Sequence, residues 1–352
     1  MSSQTTFEST GSGPTGRVPL GLALNLWDRM TRWDEAVEIA RLADELGYDC
    51  VVLPESFARD GVTLCDRLLA ATSRIQVCLG IANVFSRTPA LLASTAATLD
   101  ELSGGRFVLG LGGSTPNLVE GWHGLRFERP LRRMRETIEI AHRVWARDRS
   151  PYAGEIFRTG GVKLGFQPLR ERVPIWLGAL LEKSLELCGE LADGWMPTLL
   201  PIECIAAGRE AIARGARRAG RDPGALTVAP TVQLVVHDDP EAVLPMLKFA
   251  VAIYYGPANS PYARAAAPLG YAEDVERVAA AYAEGGSKAA AAATSDALAR
   301  SMGILGPIDA CRDQVDALLS GGADRVLVGM PAATRAECEP ILEGIVPERF
   351  RS

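Results

Sequence analysis

The sequence predicts an α/β fold, a closed (β/α)8 TIM barrel carrying insertions. Three features point there. A helix-period stretch, a glycine stop and a short apolar strand recur along the chain. The strands are mostly continuous apolar runs, as a parallel sheet covered on both faces requires. Eight such strands are legible, with helices between them. An open, doubly wound sheet with about as many strands satisfies the same pattern and stands as the alternative at this level.

The elements follow in order. Segment 1–17 is rich in Ser, Thr and Gly and lacks the basic start and apolar core of a signal peptide, so a disordered tail is expected there. The first strand is expected over Leu20–Leu26. A helix over Trp33–Leu46 carries Ala36, Val37, Ala40, Ala43 and Leu46 at helical spacing, and Gly47 ends it as a left-handed cap. The second strand, Cys50–Pro54, follows, then the third, Ile75–Ile81. A helix over Pro89–Leu102 stops at Ser103-Gly104-Gly105 and feeds the fourth strand, Phe107–Leu111. The fifth is Ile175–Ala179. A helix over Lys183–Ala192 stops near Gly194 and feeds the sixth, Trp195–Pro197. Leu226–Val236 is the seventh. A helix over Asp309–Leu319 ends at Gly321-Gly322 and delivers the eighth, Val326–Gly329.

Two stretches exceed what the repeat needs. Segment 145–172 reads as an irregular or hairpin insertion, and 238–306 as helical material around a Gly/Pro-rich break at 255–261. The expected organisation is one barrel domain over 18–348 with these two insertions. Extensions at strand C-terminal ends wall the active site of a barrel enzyme.

Composition excludes several function classes. The net charge is −6, and Lys occurs only at Lys163, Lys183, Lys248 and Lys288. No clustered basic surface for nucleic acid or an anionic membrane is expected, and no apolar run reaches the length of a membrane span. The seven Cys are scattered without paired spacing, which suits a reducing cytoplasm. The three His (His123, His142 and His237) lie far apart with no carboxylate cluster, so no metal site is expected. His142 reads as a helix-surface residue and His237 as a strand-end or turn residue.

Other chemistries fail on motif. No Lys is clearly placed for a Schiff base, and no G-x-S-x-G is present. Gly110-Leu111-Gly112-Gly113-Ser114-Thr115 has the first two glycines of a dinucleotide fingerprint, but Thr115 occupies the third site. What remains suits an enzyme whose cofactor carries the chemistry while the protein supplies position and electrostatics. Gly112-Gly113-Ser114 follows the fourth strand. Small residues let a backbone approach a ligand, and free N–H groups plus a hydroxyl can hold a phosphate; a tight turn is the plain reading beside it.

Several stretches together resemble one family. They are Gly80-Ile81-Ala82-Asn83 with Arg87-Thr88-Pro89, and Ala97-Thr98-Leu99-Asp100-Glu101-Leu102-Ser103-Gly104-Gly105-Arg106. Further on come Val119-Glu120-Gly121-Trp122-His123-Gly124 with Arg129-Pro130-Leu131, then Val173-Pro174-Ile175-Trp176-Leu177-Gly178-Ala179 and Ala192-Asp193-Gly194-Trp195-Met196-Pro197. Over about Val18 to Gly329 the chain resembles the bacterial luciferase-like superfamily. Its likeness is to the branch of coenzyme F-420 (5-deazaflavin)-dependent oxidoreductases related to methylenetetrahydromethanopterin reductase.

The resemblance implies a luciferase-like (β/α)8 barrel with the cofactor ring across its mouth. It implies a non-prolyl cis peptide at Gly80–Ile81 beneath the ring, with Ala82 and Asn83 on the same stretch. Gly112, Gly113 and Ser114 would face the ribityl-phosphate, and Gly178 and Ala179 would flank it. Asn25 and Glu55, at the ends of the first two strands, would point into the mouth. Glu55 is the first candidate for handling a proton, because a carboxyl under a partly apolar ligand is pushed toward neutrality. His123 is a second. Trp27, Phe57, Trp122 and Tyr254 would line the substrate side, and a homodimer is expected. The implied reaction is hydride transfer between reduced deazaflavin and a small organic substrate. Two alternatives stay open: an FMN-dependent luciferase-like monooxygenase, and a non-catalytic flavin-binding relative. The chain also departs from the family's sugar-phosphate dehydrogenases. Its second strand ends Pro54-Glu55-Ser56-Phe57 without their Asp-His pair, and Thr115 stands near their proton-donating Glu, so glucose-6-phosphate oxidation is not expected. The break Gly256–Tyr262 also lacks the basic residue expected there in near relatives.

Overall fold

The computed structural model describes residues 17–24, 32–57, 59–161, 163–331 and 334–351. Its frame is a parallel sheet. The strands begin with β1 (Val18–Ala23), β2 (Tyr48–Leu53), β3 (Gln76–Asn83) and β4 (Phe107–Gly112). A separate antiparallel hairpin, β5 (Tyr152–Ala153) and β6 (Arg158–Thr159), falls in the first insertion. The sheet resumes with β7 (Ile175–Leu177), β8 (Gly194–Trp195), β9 (Thr227–Val228), β10 (Thr231–Val236), β11 (Gly303–Gly306) and β12 (Val326–Gly329). β2, β4 and β12 are buried along their whole length, which is why they read as unbroken apolar runs.

The sheet order, β11-β10-β12-β1-β2-β3-β4-β7-β8-β9, curls until its ends meet. β9 pairs with β8, and two residues later β10 pairs with β12. The backbone N–H groups of Ala229 and Thr231 donate to the carbonyls of Trp195 (2.8 Å) and Pro197 (2.7 Å). Segment 227–236 is therefore one bent strand, interrupted where Pro230 has no N–H to give the ladder. It closes the ring, so the fold is the expected (β/α)8 barrel. The sequence reading missed β11, which pairs with β10 from inside the second insertion. Its four residues, Gly303-Ile304-Leu305-Gly306, are too short a run to stand out among helices.

Helices cover the outside. Helix Trp33–Glu45 buries Ala36, Val37, Ile39, Ala40 and Ala43, and Gly47 follows it at φ +78°. Helix Pro89–Leu102 starts where the Thr88 side chain accepts from Leu91 N and is followed by Gly104 and Gly105 at positive φ. The Trp145 indole, at the end of helix Pro130–Trp145, donates to the Ala93 carbonyl (2.8 Å) and ties those two helices together. Buried Glu136 on the same helix accepts backbone N–H groups of Glu155, Ile156 and Phe157, pinning the β5–β6 hairpin. His142 lies half-buried on this helix, 3.1 Å from Arg172, while His237 sits at the strand end with its ring on Asp239. The second insertion holds helices Pro240–Tyr255, Pro261–Ala266, Ala272–Ala293 and Asp296–Arg300. These share a small core of their own that includes Val251, Tyr255, Val275, Val278 and Leu298. Among the described residues no helix is long and apolar enough to cross a membrane.

The barrel interior is filled by Cys50, Val52, Cys78, Val108, Trp176, Met196, Ala229 and Leu327. Its N-terminal end is stoppered. Arg325, just before β12, pairs with buried Asp49, donates to Gln76 Oε1 (3.0 Å) and lies over the Trp176 ring, 5.1 Å from its centroid.

Candidate functional site

The C-terminal end of β3 sets the floor of the barrel mouth. The Gly80–Ile81 peptide bond is cis, and the β3–β4 pairing shifts register between Leu79 and Ala82. Gly80 has no room for a side chain, because a Cβ there would lie 2.3 Å from Val52 Cγ1 and 2.8 Å from Met196 Cε. Ile81 packs on the barrel core beneath and is itself half-buried. Its side chain occupies the space beside two bare strand ends. A Cβ on Gly112 would meet Ile81 Cδ1 at 2.8 Å, and one on Gly178 would meet Cγ2 at 3.4 Å. Two glycines thus leave an apolar shelf uncovered. Ala82 is fully buried and pairs with Leu111.

The wall beside the shelf carries an unpaired polar atom. Ser114 has φ +60°, a left-handed conformation unfavourable for a side-chain-bearing residue. Its Oγ is buried with no hydrogen-bond partner. Gly113, just before it, faces Pro130 at the start of helix Pro130–Trp145. On the adjacent strand end, Gly178 N donates to Leu111 O (3.0 Å), and the Ala179 carbonyl accepts the Trp195 indole N–H (2.9 Å). These bonds hold the β7 end still.

Asn83 and His123, forty residues apart, are brought together, with Asn83 Nδ2 3.2 Å from His123 Nε2. Asn83 is buried, and its Oδ1 accepts from Phe85 N (3.0 Å) and Ser86 N (2.8 Å). His123 ends a wide, π-helical turn, Asn117–Trp122, with its N–H returning to Leu118 O. Trp122 and Phe57 meet edge to face, centroids 6.0 Å apart, and both stay largely exposed. Tyr254 packs edge to face on Tyr262, 5.2 Å away, within the second insertion. Asn25 and Trp27 lie outside the described residues.

Glu55 is held on both oxygens. Arg87 Nη1 donates to Oε2 (2.6 Å) and Gly61 N to Oε1 (3.3 Å), while Arg87 also pairs with Asp60. Asp60 in turn caps helix Gly61–Ala71 through Thr63 N (2.8 Å). One guanidinium therefore ties the loops after β2 and β3 together. In the sequence Arg87 is marked only by its place in the Arg87-Thr88-Pro89 stretch of the resemblance. Nothing in the sequence singles out Arg133. It lies between Phe85 (4.7 Å) and Phe157 (5.0 Å), and Phe85 stacks on Phe127 at 5.4 Å. No periodicity signals a cation between two rings from different loops.

Known proteins share this frame. Rv3520c of Mycobacterium tuberculosis, named as a coenzyme F-420-dependent oxidoreductase, is 33% identical over 330 residues, 88% of this chain and 94% of its own. The 5,10-methylenetetrahydromethanopterin reductase of Archaeoglobus fulgidus is 30% identical over 297 residues, 83% of this chain and 88% of its own. The structure of the coenzyme F-420-dependent tetrahydromethanopterin reductase from Methanopyrus kandleri matches with a TM-score of 0.78. It covers 95% of this chain and 100% of its own at 22% identity, which is a likeness of fold. A family model described as luciferase-like monooxygenase matches residues 6–325. With the barrel, the strand ends and these matches together, the chain belongs to the luciferase-like monooxygenase family.

Proposed function

We propose that the protein is an oxidoreductase that passes hydride between a deazaflavin of the coenzyme F-420 type and a small organic substrate, as reductase or dehydrogenase. The observation that carries this reading is the Ile81 shelf, half-buried between side-chain-free Gly112 and Gly178, with the unpartnered Ser114 hydroxyl beside it. A flat, largely apolar ring fits over Ile81, and a polar chain leaving that ring finds a donor at Ser114. Relatives named for coenzyme F-420 or for methylenetetrahydromethanopterin reduction support the choice of cofactor.

When bound, the deazaflavin supplies the hydride. The protein's own residues do the rest. Gly80, Gly112 and Gly178 keep the shelf open, and Met196 and Val52 support it from below. Asn83 and His123 provide the polar contacts at its edge, and Phe57 with Trp122 form an apolar rim that excludes water from the transfer. Glu55 anchors Arg87, which fixes the loop that carries Phe57 to the loop that follows Asn83. Seven buried cysteines without a disulfide suit a cytoplasmic enzyme. Met246, Phe249 and Ile253, exposed on one face of helix Pro240–Tyr255, suit a homodimer.

Titration of the protein with coenzyme F-420 and with FMN, read by tryptophan fluorescence, tests the cofactor. Saturable quenching by the deazaflavin is expected, together with anaerobic reduction of an electrophilic small molecule by its reduced form. Turnover supported by reduced FMN and O₂ alone would overturn the proposal.

A further inference from the structure

The Asn83–His123 contact admits one arrangement of hydrogens. Asn83 Oδ1 accepts two backbone N–H groups, from Phe85 and Ser86. Backbone N–H groups can only donate, so the amide oxygen is fixed on that side and the NH₂ faces the imidazole. An NH₂ has no acceptor capacity, and it lies 3.2 Å from His123 Nε2. Nε2 must therefore bring a lone pair to the contact, which leaves the ring proton on Nδ1. Turning the ring over would set a C–H against the amide and lose the bond.

We propose that Asn83 is a positioning residue that holds His123 as the neutral Nδ1–H tautomer, so that the imidazole serves the substrate as a fixed hydrogen-bond donor. It acts neither as a base nor as the proton source. With Nε2 occupied, the ring has no free lone pair for abstracting a proton, and Nδ1 has no partner among the described residues. The pair stands where such a donor is useful. Asn83 is two residues beyond the Ile81 shelf, and His123 directly follows Trp122 of the aromatic rim. The inference rests on the hydride-transfer reading for what the donor is aimed at. When hydride reaches the carbon of a C=O or C=N group, the π electron pair moves to the heteroatom, where charge develops. Nδ1–H stabilises that charge, water supplies the proton that completes the alcohol or amine, and the imidazole begins and ends neutral.

The tautomer is readable without cofactor or substrate. In long-range ¹H–¹⁵N correlation spectra of ¹⁵N-labelled protein, assigned with H123Q, His123 is expected to show a protonated Nδ1 and a bare Nε2. N83D keeps an oxygen for the Phe85–Ser86 turn but puts an acceptor opposite the ring, so Nε2 is expected to gain a proton. A bare Nδ1 in the wild type, or an unchanged pattern in N83D, overturns the proposal. Turnover gives a second reading. With reduced deazaflavin, H123Q, which still offers an N–H, should retain at least about tenfold more kcat than H123A; equal rates would also overturn it. Absence of any deazaflavin binding would instead defeat the functional reading and leave the tautomer result standing.

Discussion

Ser114 combines two unfavourable features at one residue. Its left-handed backbone costs a side-chain-bearing residue about 1–2 kcal/mol, and a buried hydroxyl without a partner costs about 1–3 kcal/mol. Such a residue is kept for something other than stability. Glycine at this position removes both features, so S114G should raise the unfolding free energy by about 1–2 kcal/mol. It should also weaken deazaflavin binding. Urea unfolding and cofactor titration of the same variant check the pair, and a variant no more stable than the wild type would mean that the hydroxyl already has a partner. The sequence showed Gly112-Gly113-Ser114 as small residues after a strand. It could not show which polar atom would be left over, because that depends on Pro130 and the helix behind it. Glu55 teaches the same lesson. A carboxylate at a strand end is legible, but its partner Arg87 lies 32 residues away and is fixed only by the packing of two loops.

At the level of elements, helix Pro130–Trp145 links the barrel to its first insertion, and His142 reports on that link. Burial, with Arg172 and Arg221 nearby, pushes its imidazole down to about 4. The folded value lies below the unfolded one, so the unfolded chain binds the extra proton first. Stability is therefore complete above about pH 6.5 and falls as pH drops from about 6.5 toward about 4. An NMR titration should find His142 neutral at pH 6, and H142Q should flatten the fall in Tm across that window. A His142 that titrates near 6.5 in the folded protein would contradict the burial argument. Helices of this length were legible from spacing and glycine stops: Pro89–Leu102 has the expected ends, and Trp33–Glu45 differs by one residue. Two features of the strands were not. Gly303–Gly306 is hidden by the helices around it, and the split of the seventh strand at Pro230 follows from closing a ring, which no local pattern encodes.

Across the whole molecule, the repeat of helix, glycine and apolar strand was enough to read the barrel, because most barrel strands are buried on both faces and say so in their composition. The second insertion follows other rules. Its helices share a small core of their own and meet the sheet through Leu244, Leu247 and Ala299 against Val235 and Leu305, and helix Ala272–Ala293 is broken at Gly285–Gly286. Units with few shared contacts open independently. Native-state hydrogen exchange should therefore show amides of 240–302 exchanging through a lower-energy opening than those of β2, β3 and β4, and equal protection would show one cooperative unit instead. At the opposite end, the Arg325–Asp49 pair closes the floor, and the filled interior leaves the strand C-terminal ends as the approach to Ile81 among the described residues. A carrier ring resting on Ile81, as proposed, would lie between that filled interior and solvent, so a molecule that reacts with its outer face would arrive later and depart sooner. On that reading the two would take turns, carrier in first and out last.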